Sequence, residues 1–334
     1  MVGLTTTTTT KKLTAMPRRL TKLWKRIRGS SPSSSQDPND QKLPSTSASS
    51  KKTLTEEDRH YLCQRLAAND VDLVTLDLSH QGLDRDDAVA LSNALRMNEN
   101  LCMLDLTDNE LGDEGTAALL EGLQHHPAIE YLLLPHNGVG NLALDCGQAV
   151  ETTTGADNTA QTPTQANLPL LALPPALKYL DVSNNHLSSA SALLQQAALS
   201  ESLETLDLSV NHIGNDDAAA LGQALERMTE INLFANRLGD EACRVLVASG
   251  LGSSLQRLNL GYNRIGNEGA RALLQLETTI NSSKHHYPNK NKKKPPQHLG
   301  GDASAITPNV ILTGNPITNA DVVSSLRATA QFEF

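Results

Sequence analysis

Residues 203–225 read LETLDLSVNHIGNDDAAALGQAL. Leu206 and Leu208 are two apart, so on a short strand they share one side and enter a core, while Thr205, Asp207 and Ser209 face the other way. Asn211 stands where the chain leaves the strand. A buried turn must satisfy its backbone groups, and an amide side chain that both donates and accepts can do so. Gly214 then turns the chain, Asn215, Asp216 and Asp217 supply a cap and favourable charge for a helix N-terminus, and Ala and Leu follow at helical spacing.

The chain repeats this unit. Aligned on LxxLxLxxNxL, the fourth position falls at Leu76, Leu104, Leu132, Leu180, Leu206, Ile231, Leu258 and, more weakly, Val310. The intervals are 28, 28, 48, 26, 25, 27 and 52, so two of them hold one repeat plus an insertion. The turn amide recurs as Asn109, Asn137, Asn185, Asn211, Asn236, Asn263 and Asn315, with Gln81 in the first unit. Glycine recurs after it at Gly112, Gly239 and Gly266. Strands from successive units pair in one parallel sheet, and stacking buries a continuous aliphatic core.

This pattern resembles the ribonuclease-inhibitor-like class of leucine-rich repeats, which includes ribonuclease inhibitor, the repeat domains of NOD-like receptors and the Ran GTPase-activating protein. The resemblance covers about residues 71–326, and seven of eight units carry Asn at the ninth position. It implies an α/β leucine-rich-repeat solenoid, a horseshoe of about eight repeats with parallel strands on the concave face and helices on the convex face. It also implies a non-enzymatic protein-binding scaffold without a cofactor, the alternative being a GTPase-activating regulator of a small Ran-like GTPase. The chain departs from the Ran GTPase-activating protein in having eight repeats, two long insertions and no acidic tail.

The net charge of -9 hides a division. Residues 1–36 carry eight Lys or Arg and residues 281–300 carry five, neither with an acid, which leaves 15 basic residues against 37 acids elsewhere, a net of -22. Nucleic-acid binding by the solenoid is therefore not expected, because phosphate contacts need a basic face. Cys63, Cys102, Cys146 and Cys243 lie far apart without a CxxC, which reads as reduced thiols rather than a metal site. No nucleophile elbow, phosphate loop or HExxH motif is found. No apolar run reaches bilayer length and no secretory leader opens the chain, so an intracellular protein, in cytoplasm or nucleus, is expected.

Three segments organise the chain. Residues 1–50 are a basic, Ser/Thr-rich disordered segment in which Leu20, Leu23, Trp24 and Ile27 place a short amphipathic helix within 17–28. An organelle presequence, a membrane-surface anchor, a calmodulin-type target, an import signal and an uninvolved tail all remain open for it. Residues 51–72 form an N-terminal capping helix that starts at Thr55-Glu56-Glu57-Asp58. Residues 73–334 are the solenoid, with insertions at about 150–174 and 278–303 whose polar content reads as flexible loops. Lys290 to Lys294 is a candidate import patch or a solvated loop, and the tail Phe332-Glu333-Phe334 either packs on the last repeat or stays in solvent. Both insertions leave from the helix-to-strand edge, so the edge after the strands stays uncluttered.

A partner is expected on the concave face, with the chain itself a monomer. The fifth position carries Asp77, Asp105, Leu133, Asp181, Asp207, Asn232 and Asn259. Exposed carboxylates about 4.8 Å apart repel by approximately 0.8 kcal/mol in water, which a cationic partner turns into a gain. Alternatively the carboxylates are framework, held by neighbouring Ser or Thr hydroxyls. Met103, Tyr131, Tyr179, Phe234, Arg257 and Tyr262 are candidate anchors beside this row, and His80, Asp108, His136, Asn184 and Thr205 complete the face. His186 and His212 share one repeat position in adjacent units but lack further ligands for a metal, and His125-His126 and His285-His286 read as loop residues.

Overall fold

The computed structural model describes residues 53–140, 172–250, 254–283, 308–329 and 332–334. The basic N-terminal segment, Cys146, most of both insertions, His285-His286 and the Lys290 to Lys294 run lie outside the described residues. Nine strands, β1 (Thr75–Asp77), β2 (Met103–Asp105), β3 (Tyr131–Leu133), β4 (Tyr179–Asp181), β5 (Thr205–Asp207), β6 (Glu230–Asn232), β7 (Arg257–Asn259), β8 (Asn309–Ile311) and β9 (Phe332–Glu333), pair in chain order as one parallel sheet. The register places Leu76, Leu104, Leu132, Leu180, Leu206, Ile231, Leu258 and Val310 opposite one another, as the repeat spacing requires. The ninth strand answers the question of the tail: Phe332 is buried beside Val310 and covers the last repeat.

Among the described residues the helices are α1 (Glu56–Ala67), α2 (Arg85–Leu95), α3 (Gly112–Leu123), α4 (Ser191–Leu199), α5 (Ala218–Leu225), α6 (Asp240–Ser249), α7 (Asn267–Ser283) and α8 (Ala320–Ala328). The α7 helix continues through residues 278–283, which the sequence reading assigned to an insertion, and Leu173, from the other insertion, is buried. Between strands and helices lies one contiguous core, to which the fifth unit contributes Leu203, Leu206, Leu208, Ile213, Leu221 and Leu225. Burying each such side chain stabilises the fold by about 1.5–3 kcal/mol, repeated unit after unit. The described residues include no helix long and apolar enough to cross a membrane.

The turn amides knit each unit to the next. Asn211 Nδ2 donates to the Leu208 and Ser209 carbonyls of its own unit and to the Val182 carbonyl of the preceding one, while Oδ1 accepts from Leu187 N. Gln81 stands in the unit next to the cap, and its Oε1 accepts from Leu54 N at the edge of that cap. The α1 helix begins with Thr55 and Asp58 in a reciprocal capping box.

Helix starts differ from expectation. Asn215–Asp217 form a single 3-10 turn, and none of the three caps α5 through a side chain. Asp217 is buried instead, and its Oδ1 accepts from Ser189 Oγ, Ala190 N and Ser191 Oγ at the start of α4 in the preceding unit. Asn215, Asp240 and Asn267 reach in the other direction, to Gly239 N, Gly266 N and Thr318 N of the following units. These acids and amides join repeats rather than cap their own helices, because stacking brings a neighbour's backbone closer than the residue's own.

The eighth position is left-handed throughout the array. His80, Asp108, His136, Asn184, Val210, Ala235 and Tyr262 have φ between 53° and 59°, and Gly314 has 76°. Asp and Asn tolerate this region, whereas a β-branched side chain is strained in it. Val210→Asn is therefore expected to raise unfolding free energy by about 1 kcal/mol in urea titration. Unchanged or lower stability would show that Val210 carries no relievable strain.

Candidate functional site

The residues expected on the strand face fall into two aligned rows. The third-position row runs Thr75, Met103, Tyr131, Tyr179, Thr205, Glu230, Arg257 and Asn309, and the fifth-position row runs Asp77, Asp105, Leu133, Asp181, Asp207, Asn232, Asn259, Ile311 and Glu333. Leu133 divides the acids into two adjacent pairs, Asp77 with Asp105 and Asp181 with Asp207. Asn232 Nδ2 donates to Asp207 Oδ2 at 2.9 Å. Asp105, Asp181 and Asp207 have no ion-pair partner among the described residues.

Each fifth-position Asp and Asn also has a local task. Oδ1 of Asp77, Asp105, Asp181 and Asp207 accepts from the backbone N–H two residues on, at Ser79, Thr107, Ser183 and Ser209. Asn232 and Asn259 make the same bond, to Phe234 N and Gly261 N. The Ser hydroxyls of Ser79 and Ser209 donate to the same oxygen at 2.6 Å. One oxygen of each acid is therefore framework, and the net charge is what distinguishes Asp from Asn here.

Electrostatics concentrate on the second pair. Burial, followed by the charge of Asp207, raises the Asp181 carboxyl to about 7, against which the Ser183 hydrogen bonds act. Tyr179 is pushed up in the same way, by burial first and then by Asp181 and Asp207, so its phenol stays protonated as it hydrogen-bonds Asp181. Tyr131 and Tyr179 lie with ring centroids 6.4 Å apart. Two of the expected contact residues are in fact buried, Met103 at 5% and Tyr179 at 6% exposure, as is Leu133 at 6%. Large side chains one row apart in a parallel sheet shield each other, so these three support the face rather than present it.

The remaining candidates separate along the array. His80 Nδ1 and Asp108 Oδ2 are brought to 2.5 Å at the first turns, while His136 stands exposed a repeat further on. Phe234 and Tyr262 pack with ring centroids 5.0 Å apart. Arg257 pairs with Glu230 at 3.5 Å. Glu230 was not singled out from sequence, although its third position between Thr205 and Arg257 marks it as part of the row. His126 lies in the loop before β3, as expected, but is buried there with Nδ1 accepting from Ala128 N and Ile129 N, and burial lowers its pKa to about 4. Burial likewise pushes the Cys243 thiol up to about 12 and raises Cys63 and Cys102. The described residues include no cluster of three or more His, Cys, Asp or Glu able to hold a metal ion.

Comparison with known proteins places this architecture. The family model described as Leucine Rich repeat matches residues 98–120, 200–222 and 253–274. A human protein, "NACHT, LRR and PYD domains-containing protein 13", is 39% identical over 83 residues, which are 25% of this chain and 8% of that protein. The chain thus aligns with less than a tenth of that relative's length. Among solved structures, internalin C2 from Listeria monocytogenes is similar at a TM-score of 0.46 and 17% identity, over 81% of this chain and 89% of that one. A TDR receptor is similar at a TM-score of 0.33 and 20% identity, over 66% of this chain and 32% of that one. The repeat register and the turn amides give the chain a leucine-rich-repeat architecture, and its matched segments are similar to leucine-rich repeats, one of them in a NACHT, LRR and PYD domains-containing protein.

Proposed function

We propose that the chain is a non-enzymatic protein-binding scaffold whose strand face receives a basic surface of a partner protein. The observation that supports this reading most directly is the group Asp105, Asp181 and Asp207, aligned on one face and without an ion pair among the described residues. A Lys or Arg docked there offsets the repulsion from Asp207, which adds to the burial that raises Asp181, and lays its aliphatic stem beside Tyr131. The expected partial alternative, a regulator of a small Ran-like GTPase, finds no specific support among the described residues.

Asparagine supplies the test. Because Asn232 and Asn259 make the same turn bond as the acids, Asp105→Asn, Asp181→Asn and Asp207→Asn together remove charge and keep the turn. The triple variant is expected to bind a Lys/Arg-rich peptide about tenfold more weakly than the wild type at low salt, with the difference shrinking as salt rises. Equal affinity in a variant with an unchanged unfolding curve would make the acidic row purely framework and sink this reading.

A further inference from the structure

The tenth position of units four to seven carries a second row, which holds two arginines and no acid. In units four to seven it holds His186, His212, Arg237 and Arg264, all exposed at the edge that follows the strands. Backbone hydrogen bonds fix the row: the N–H of each residue donates to the eleventh-position carbonyl of the preceding unit, at Val139, Leu187, Ile213 and Leu238, over 2.7, 2.8, 2.9 and 2.8 Å. The imidazoles of His186 and His212 stack at 6.0 Å with an interplanar angle of 25°. Neighbouring positions therefore repeat at about the strand spacing, and the four side chains span about 14 Å.

The two arginine charges of this row have no ion-pair partner among the described residues. Arg59, Arg65, Arg85, Arg96, Arg244, Arg257 and Arg271 each pair with a nearby carboxylate, whereas Arg237 and Arg264, like Arg227 and Arg327, have no ion pair among the described residues. In a body standing at -22 outside its two basic segments, adjacent guanidiniums without an acid are a local reversal of the prevailing charge. Two residues before Arg264, Tyr262 is 57% exposed yet held in place, packed on Phe234 on one side and over Gly314 on the other, where a Cβ would meet its ring at 2.7 Å. Arg and Tyr are the residue types that most often anchor interfaces, and a guanidinium grips a carboxylate through two parallel hydrogen bonds.

We propose that His186, His212, Arg237 and Arg264, with Tyr262 at one end, form a docking edge for an acidic, aromatic-containing peptide segment of a partner protein. About four residues of extended chain cover the 14 Å row, so a short stretch alternating Asp or Glu with an aromatic residue matches its length and charge. A nucleic acid fits less well, since a polyanion that extends past two arginines meets the acidic remainder of the solenoid. This inference does not rest on the strand-face reading, and the two surfaces take partners of opposite charge.

The test uses the full chain and a fluorescein-labelled peptide alternating Glu and Tyr, followed by anisotropy at low and physiological salt. Arg237→Glu with Arg264→Glu is expected to weaken binding at least tenfold, and Arg237→Gln with Arg264→Gln by less, while the Asp-to-Asn triple variant of the strand face leaves binding no weaker. Basic residues in 1–36 and 281–300 are common to all variants, so they contribute to the total but not to the difference. Unfolding curves of the Gln pair verify the fold. Binding equal in wild type and both Arg variants would assign the peptide to the basic segments and overturn the proposal, as would tighter binding of a single-stranded oligonucleotide that the same variants lose.

Discussion

Replacing Asn185 with Ala is expected to lower unfolding free energy by about 3–4 kcal/mol, among the largest losses for a turn amide, whereas Asn137→Ala should cost about half as much. The difference follows from the hydrogen bonds each makes. Asn185 Nδ2 donates to the Leu134, Val182 and Ser183 carbonyls, and its Oδ1 accepts from Asn137 N and Val139 N, five bonds in a side chain only 3% exposed. Asn137 Nδ2 donates to the Leu106 and Pro135 carbonyls, but its Oδ1 is buried without a partner. The second unit starts α3 at Gly112, with φ of +60°, and its Leu111 is already helical, so this turn takes a different path from that of the fourth unit. Urea titration of the two variants checks the order. Equal losses would mean that the Nδ2 bonds alone carry the turn and that the acceptor side contributes nothing.

That ranking also marks how far the sequence could be read. The positions of strands and turn amides follow from a spacing of two leucines and one Asn, because local backbone geometry decides them. Which atom of which neighbour an amide reaches is an inter-repeat property. Asp217 looked like a helix cap for α5 and turned out to bind the start of α4, a partner 26 to 28 residues earlier. His126 is the loop residue its polar doublet suggests, but its burial was not legible: the turn before β3 holds its ring against Ala128 N and Ile129 N. The β9 strand was undecidable because three residues carry no periodicity, and only the open edge of β8 shows what they pair with.

The candidate site was legible as a row but not as a set of roles. Its register came directly from the fifth position of each unit, whereas the dual use of each acid, with one oxygen in the turn and the charge left over, needed coordinates. The burial of Met103 and Tyr179 was equally hidden, since alternation assigns a side but not the shielding by row neighbours. Charge tells a similar story at the tenth position. His186, His212, Arg237 and Arg264 sit 25 to 27 residues apart, which no motif search joins, and only stacking turns them into one edge.

Asp181→Asn is expected to stabilise the protein by about 2 kcal/mol at pH 8 and to leave it unchanged at pH 4. The sign follows from linkage. Burial and Asp207 raise Asp181 to about 7 in the folded state, above the ordinary carboxylate value near 4, so between these values the folded chain holds a proton that the unfolded chain releases. Stability from this group is therefore present at low pH and lost as pH rises from about 4 through about 7. His126 acts oppositely: burial lowers it to about 4, the unfolded chain binds the extra proton, and stability is lost as pH falls from about 6.5 towards 4. In the wild type the two slopes offset across the same window. Asp181→Asn removes one of them, so its stability should climb with pH between 4 and 7, while His126→Asn, which keeps an acceptor for Ala128 N and Ile129 N, should show stability falling over that range. Denaturant titrations of wild type and both variants at pH 4.5, 6 and 8 read the slopes. Parallel profiles for all three would show that neither group carries a proton difference between folded and unfolded chains, and that the Asp181–Asp207 pair is held apart by solvent rather than forced together by the sheet.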